Sequence, residues 1–361
     1  MKTVINVLLL VTLLVGCSGR DASPIPRNIV IMIGDGMGLG QITAGRTAKG
    51  SLELEQFTHI GLLLTQAYGD DYITDSAAAA TAISTGVATF NGMIGMGPDS
   101  LPRTTILERA KALGKKTGIV TVCSITHATP ASFVAHTPSR EMELEIARQI
   151  SQAGVDLCLG SGWGWFMPKS AGGRREDGRN LLEEMRRRGY VVVTTDSTFR
   201  TLTDLPAVNI MGLFAENHVG KAHERKPTLA ELTRYALETL SLAEGGFVLM
   251  VEGSQIDWAS HDNRSDEIVD EMVDFDGAVG EVVRFAQKHS ETLIIVTSDH
   301  ETAGYTLLNG SVSGKWVQGG FATHYHTGVM VPLFALGPGA ERFTGIRPNT
   351  DVGAILMEML K

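Results

Sequence analysis

Short apolar runs, each long enough for one strand and bounded by polar or glycine-rich residues, recur at 28–33, 61–65, 117–123, 156–159, 191–194, 247–251, 293–297 and 331–336. Their hydrophobicity is largely unbroken rather than alternating, as strands buried on both faces require. Between several of them lie segments whose apolar residues recur at helical spacing, at 105–113, 139–153, 227–242 and 266–288. These read as amphipathic helices. The alternation predicts an α/β fold, a three-layer sandwich in which a central, mostly parallel β-sheet is flanked by helices. No internal repeat or long low-complexity linker interrupts it. Residues 169–179, rich in Gly and Arg, and residues 309–320 read as mobile surface insertions. The acidic run 266–276 carries Ile268, Val269, Met272 and Phe275 at helical spacing, which makes it a solvated helix and not a calcium loop.

Ahead of the first strand, Lys2 is followed by an apolar stretch from Val4 to Val15, broken only by Asn6 and Thr12, and then by Gly16 and Cys17. That stretch is too short to span a bilayer as a helix, and residues 1–16 read as a signal peptide. Leu14-Val15-Gly16-Cys17 resembles the bacterial lipobox, which implies cleavage before Cys17 and lipidation of its thiol. The expected product is an exported periplasmic or cell-envelope protein, held at the membrane only by that lipid, with residues 17–27 as linker and 28–361 as one domain. Losing Lys2 leaves 30 of the 31 basic residues against 40 acidic ones, so the net charge moves from −9 to −10. No nucleic-acid-binding role is expected of so acidic a chain. Cys123 and Cys158 lie inside apolar strand patterns and read as buried free thiols, neither resembling a zinc-thiolate site.

Candidate chemistry collects where the strand patterns end. The first runs into Ile33-Gly34-Asp35-Gly36-Met37-Gly38, but Leu39 and Gln41 occupy the places where a dinucleotide motif needs its last glycine. Asp35 is better read as a carboxylate at the C-terminal end of a sheet strand, where open α/β sheets bind ligands. Asp75-Ser76 precede a run of alanines, placing Ser76 at a helix N-terminus whose free N–H groups favour an alkoxide or phosphate ester. Taken alone, the same pair only caps a helix. The 247–251 run delivers Glu252, then Asp257 and His261 at i, i+4 on one helical face. Another run ends in Ser298-Asp299-His300-Glu301, and His324, His326, Thr327 and Gly328 follow near the C-terminus. If these groups converge, the carboxylates repel one another unless cations neutralise them, and oxygen with imidazole donors suits Zn²⁺.

The strings Asp35-Gly36-Met37-Gly38, Asp75-Ser76-Ala77, Thr129-Pro130-Ala131, Ser139-Arg140, Glu252 through His261, Thr297-Ser298-Asp299-His300-Glu301 and His326-Thr327-Gly328 resemble, in this order, the motifs of the alkaline phosphatase family. The resemblance runs from about residue 28 to 337. It implies a metal-dependent enzyme that hydrolyses small phosphate monoesters to an alcohol and inorganic phosphate through a phosphoserine, with two Zn²⁺ and one Mg²⁺. Carried over residue by residue, it implies that Ser76 is the nucleophile and that Arg140 grips two phosphate oxygens. Asp257, His261 and His326 would bind the zinc facing the leaving group, and Asp35, Asp299 and His300, with Ser76, the other. Asp35 would bridge to the third ion, completed by Thr129 and Glu252. The family commonly forms dimers, which leaves a homodimer open.

Two residues depart from the best-known bacterial pattern. His127 stands where some members have an aspartate near the third metal, and Trp258 replaces a lysine or histidine; the pair resembles a subset of bacterial members. Both are expected beside the substrate, and the softer imidazole leaves the identity of the third ion open. Sulfatases, phosphodiesterases and phosphomutases share such a metal framework. A serine nucleophile with Arg140 favours monoesters among them, and a non-catalytic metal- or phosphate-binding lipoprotein is the alternative of another class. His136, in an apolar stretch, reads as structural, whereas His324 would share a face with His326 if that segment is extended.

Overall fold

The computed structural model describes residues 25–204 and 209–360; the expected signal peptide, Cys17 and most of the expected linker lie outside the described residues. Fourteen strands follow in chain order: β1 (Asn28–Gly34), β2 (His59–Leu64), β3 (Lys116–Ser124), β4 (Leu157–Ser161), β5 (Val191–Val193), β6 (Ile210–Leu213), β7 (Phe247–Gly253), β8 (Thr292–Thr297), β9 (Glu301–Thr302), β10 (Thr306–Ser311), β11 (Trp316–Gly320), β12 (His326–Thr327), β13 (Val331–Leu336) and β14 (Gly345–Pro348). Ten of them make one sheet in the order β14-β2-β13-β8-β1-β7-β3-β4-β6-β5. All pairs are parallel except those of β13 with β2 and β8.

The unbroken apolar strands do what their pattern requires. In β1, Ile29, Ile31 and Ile33 enter one core layer and Val30 and Met32 the other, every side chain fully buried. The first layer is closed by helices Ser76–Thr85, Ile106–Ala112, Glu143–Ala153, Leu181–Arg187 and Thr350–Met359. The second is closed chiefly by Leu229–Ser241 and Ser265–Lys288. Helix Ser76–Thr85 is buried along its whole length. Its alanines allow close approach from all sides, and it ends at Gly86 (φ 76°), where a Cβ would lie 2.9 Å from the Ala354 nitrogen.

Several sequence expectations change. Residues 309–320 belong to the antiparallel hairpin β10–β11, which packs against helix Leu39–Lys49. Residues 169–179 are no loose insertion, because Arg175 is buried and donates to the Leu144 and Trp165 carbonyls. The helix expected over 139–153 begins at Glu143, leaving Arg140 on a turn in front of it. The acidic helix is not wholly solvated. Glu271 is buried against Arg225, and Asp276, fully buried, accepts from the Glu53 nitrogen at 2.8 Å and the Lys49 ammonium at 2.5 Å. Asp276→Ala should therefore cost about 3 kcal/mol in denaturant unfolding, since it strands buried donors. A loss under about 0.5 kcal/mol would show that Asp276 does not hold these elements together.

Candidate active site

Because β8, β1, β7 and β3 are parallel neighbours, their C-terminal ends share one edge of the sheet. Each delivers a polar residue there. Asp35 follows β1, Glu252 closes β7, Asp299 and His300 follow β8, and β3 leads through His127 into the short helix Ala128–Ala131 that carries Thr129. The strand ends are tied together: the Ser298 hydroxyl donates to the Gly34 carbonyl and accepts from the Met37 nitrogen, while the Gly36 nitrogen donates to Asp299. Gly36 (φ 73°) is obligatory, since a Cβ would sit 2.7 Å from the Asp257 Cα.

Helix Gln255–His261 and strand β12 bring Asp257, His261 and His326 to the same place. Two compact ligand sets result, Asp257–His261–His326 and Asp35–Asp299–His300, and Cys123, His127 and Glu252 form a third; within each set the ligand atoms lie within 4.8 Å of one another. His300 Nε2 is 3.5 Å from Asp35 and 3.3 Å from Asp299, and the Nε2 atoms of His261 and His326 face each other at 3.2 Å. The ring orientations fix the tautomers. His326 Nδ1 donates to the Thr74 carbonyl and His261 Nδ1 to the His324 carbonyl, while Thr302, whose hydroxyl donates to Asp257, receives His300 Nδ1 at 3.2 Å. All three Nε2 atoms are thus turned into the site, as metal-ligating imidazoles require.

Ser76 opens its helix with its Oγ 3.2 Å from His300 Nε2. Its neighbour Asp75 caps the helix by accepting from the Ala78 nitrogen at 2.9 Å, and with its other oxygen receives Arg140 Nη1 at 3.1 Å and the Gly92 nitrogen at 3.0 Å. Arg140 Nη2 reaches His127 Nε2 at 3.2 Å. His127 packs edge-on to Trp258 and to His218, the latter two rings being 4.7 Å apart.

The electrostatics call for cations. Both Asp35 oxygens, one oxygen each of Asp299 and Glu252, the Thr129 hydroxyl and His127 Nδ1 are buried without a hydrogen-bond partner. Burial, reinforced by Asp299, Asp257 and Glu252, pushes Asp35 well above the usual carboxylate range, and burial takes Glu252 up to about 7. Burial also raises the cost of charging Asp257, but its bond to His261 and the nearby imidazoles outweigh this and hold it low. His261 rises to about 9 through Asp257, whereas burial lowers His326 to about 4 and, with Arg140 and His218, His127 to about 3. Acceptor oxygens crowded without donors, beside inward-facing imidazole nitrogens, fit divalent metal ions.

All the residues singled out as ligands, together with Ser76, Arg140, His127 and Trp258, stand at or beside this edge. His324 does not share a strand face with His326: β12 holds only His326 and Thr327, and the His324 ring turns to the His261 carbonyl. His136 is structural, bonded to the Gly95 carbonyl and Glu108. Sequence reasoning saw Asp75 as a helix cap but not its link to Arg140, and passed over Thr302, His218 and the place of Cys123. This cysteine, one of two buried free thiols among the described residues, lies 3.4 Å from Glu252. Only the pairing of Thr121 with Glu252 across β3 and β7 puts it there.

The alkaline phosphatase family model matches residues 26–318. Among curated relatives, alkaline phosphatase 4 of Bacillus subtilis is 34% identical, the match covering 93% of this chain and 89% of that one. Streptomycin-6-phosphate phosphatase of Streptomyces griseus is 33% identical over 96% and 93%. The solved alkaline phosphatase of the Antarctic bacterium TAB5 superposes with a TM-score of 0.86 at 35% identity, covering 94% of this chain and 98% of that one. A variant of that enzyme, with one histidine replaced by glutamate, holds Mg in its M3 site. The chain belongs to the alkaline phosphatase family and is a metal-dependent phosphomonoesterase.

A carboxyl raised above its ordinary value stabilises the fold only while protonated, and that stability is lost as pH rises through its folded value. Below about pH 6.5 the depressed His127 and His326 oppose this trend, so the chelated protein should lose stability between about pH 6.5 and about pH 8, through the Glu252 value of about 7. The melting-temperature gap between metal-loaded and chelated protein should widen over that range. A gap independent of pH would contradict the assignment of these carboxylates to cations.

Proposed function

We propose that Ser76 is the nucleophile and that the enzyme turns over phosphate monoesters through a phosphoserine. The observation that carries this reading is the Ser76 hydroxyl at a helix N-terminus, 3.2 Å from His300, with Arg140 tied to the neighbouring Asp75. Asp257, His261 and His326 would hold one Zn²⁺; Asp35, Asp299 and His300 would hold the second beside Ser76. Asp35, Thr129 and Glu252, hard oxygen donors, would hold Mg²⁺. When bound, the two zinc ions supply Lewis acidity that favours the Ser76 alkoxide and the departing alkoxide.

The chain's own groups then account for each half-reaction. Arg140 grips two non-bridging oxygens with its planar fork, and the free N–H groups of helix Ser76–Thr85 face the same anion. The bond from Ser76 Oγ to phosphorus forms as the ester bond breaks, and the alcohol leaves with a proton. Water next attacks the phosphoserine, the Oγ–P bond breaks, Ser76 regains a proton and inorganic phosphate departs. Asp75 serves both elements, because one carboxylate fixes the helix N-terminus and the Arg140 fork. His127 steadies Arg140 from its other side, and Trp258 walls the pocket without adding charge, the arrangement expected of the His/Trp subset.

The remaining reading concerns the whole chain: residues 28–361 as one catalytic domain behind a cleaved signal and a lipidated Cys17, exported to the periplasm or cell envelope, with a homodimer open. Among the described residues no helix is long and apolar enough to cross a membrane. Ser76→Ala should lower monoester turnover about a thousandfold or more while leaving the melting temperature in place. Equal rates in the variant would remove Ser76 from the mechanism. Cys17→Ser should move the protein from the membrane to the soluble exported fraction, and a wild-type protein that is already soluble would end the lipoprotein reading.

A further inference from the structure

The wall of the third site contains a group that a magnesium site does not need. Cys123 is fully buried, and its sulfur lies 3.4 Å from Glu252 Oε2 and 3.2 Å from the Thr121 hydroxyl. A ligand atom from each of Cys123, His127 and Glu252 falls within the same 4.8 Å span. Around them, Glu252 Oε1 and the Thr129 hydroxyl, both on fully buried residues, point to no hydrogen-bond partner. Thr121, Ser254 and Cys123 all bond the other Glu252 oxygen, so Oε1 alone is held ready. Magnesium favours six oxygens, waters among them, and gains little from sulfur. A thiolate beside a carboxylate and a hydroxyl makes a softer donor set than magnesium prefers, and one that borderline ions accept.

We propose that Cys123 is a ligand of the third ion and gives that site a preference for a thiophilic divalent cation, such as Zn²⁺ or Co²⁺, over Mg²⁺. This rests on the reading of a third ion at Glu252 and Thr129. Binding replaces the thiol proton, which passes to solvent, by a sulfur–metal bond. The thiol's hydrogen bonds to the Ser124 carbonyl and to Glu252 Oε2 are given up at the same time, and the ion's charge offsets the thiolate's approach to that carboxylate.

The test uses full-length protein with two equivalents of Zn²⁺ bound, titrated with Co²⁺ and followed by metal analysis and near-ultraviolet absorption. A third equivalent should bind and bring a sulfur-to-cobalt charge-transfer band that an equal concentration of Mg²⁺ does not remove. Cys123→Ser should abolish the band while Cys158→Ser keeps it. Third-site Co²⁺ without the band, or a band unchanged in Cys123→Ser, would overturn the assignment while leaving the third site standing. Displacement of the Co²⁺ by equimolar Mg²⁺ would overturn the preference. Failure of any third ion to bind would remove the third-ion reading together with this one.

Discussion

The structure turns on the burial of four carboxylates, Asp35, Glu252, Asp257 and Asp299, at the C-terminal edge of its central strands. No fold gathers so many acids out of water without positive charge to answer them, since each desolvated charge costs several kcal/mol. The nearby Arg140 is paired with Asp75, and among the described residues the ion pairs of these four acids are all with imidazoles. Divalent ions resolve the conflict, and they explain why the sheet is closed on both faces yet leaves this edge polar.

The same constraint links architecture to chemistry. Parallel strands align their ends, so β8, β1, β7 and β3 can each bring polar side chains to a common edge without long loops. The Ser76 hydroxyl arrives from a separate element, helix Ser76–Thr85, which is buried along its whole length. Asp75 joins that helix to Arg140, and His300 joins it to the ligand sets. Carbonyls of Thr74 and His324 and the hydroxyl of Thr302 decide which nitrogen each histidine offers.

Much of this was legible in the chain. Unbroken apolar strands required a sheet covered on both faces, and Asp35, Glu252 and Asp299 declared themselves by standing where strand patterns stop. The helical i, i+4 spacing of Asp257 and His261 survives as a 3.3 Å contact. Other parts depended on pairing between distant segments. Strand β6 is short and β14 carries Gly and Pro, so neither gives a strong periodic signal. Cys123 reads as an ordinary apolar-strand thiol until β3 is set beside β7. His324 and His326 look equivalent at i, i+2, yet only two residues of that segment are extended, and the backbone turns the first ring away.

The central claim is that the metal-lined edge serves one hydroxyl, that of Ser76. Acid-quenching the metal-loaded enzyme during turnover of a phosphate monoester, followed by peptide mass analysis, tests it most directly. The expected result is one phosphoryl group on the peptide bearing Ser76, absent after chelation and absent from Ser76→Ala. A phosphoryl group on another residue, or active wild-type enzyme that never carries one under conditions that trap the intermediate, would contradict it.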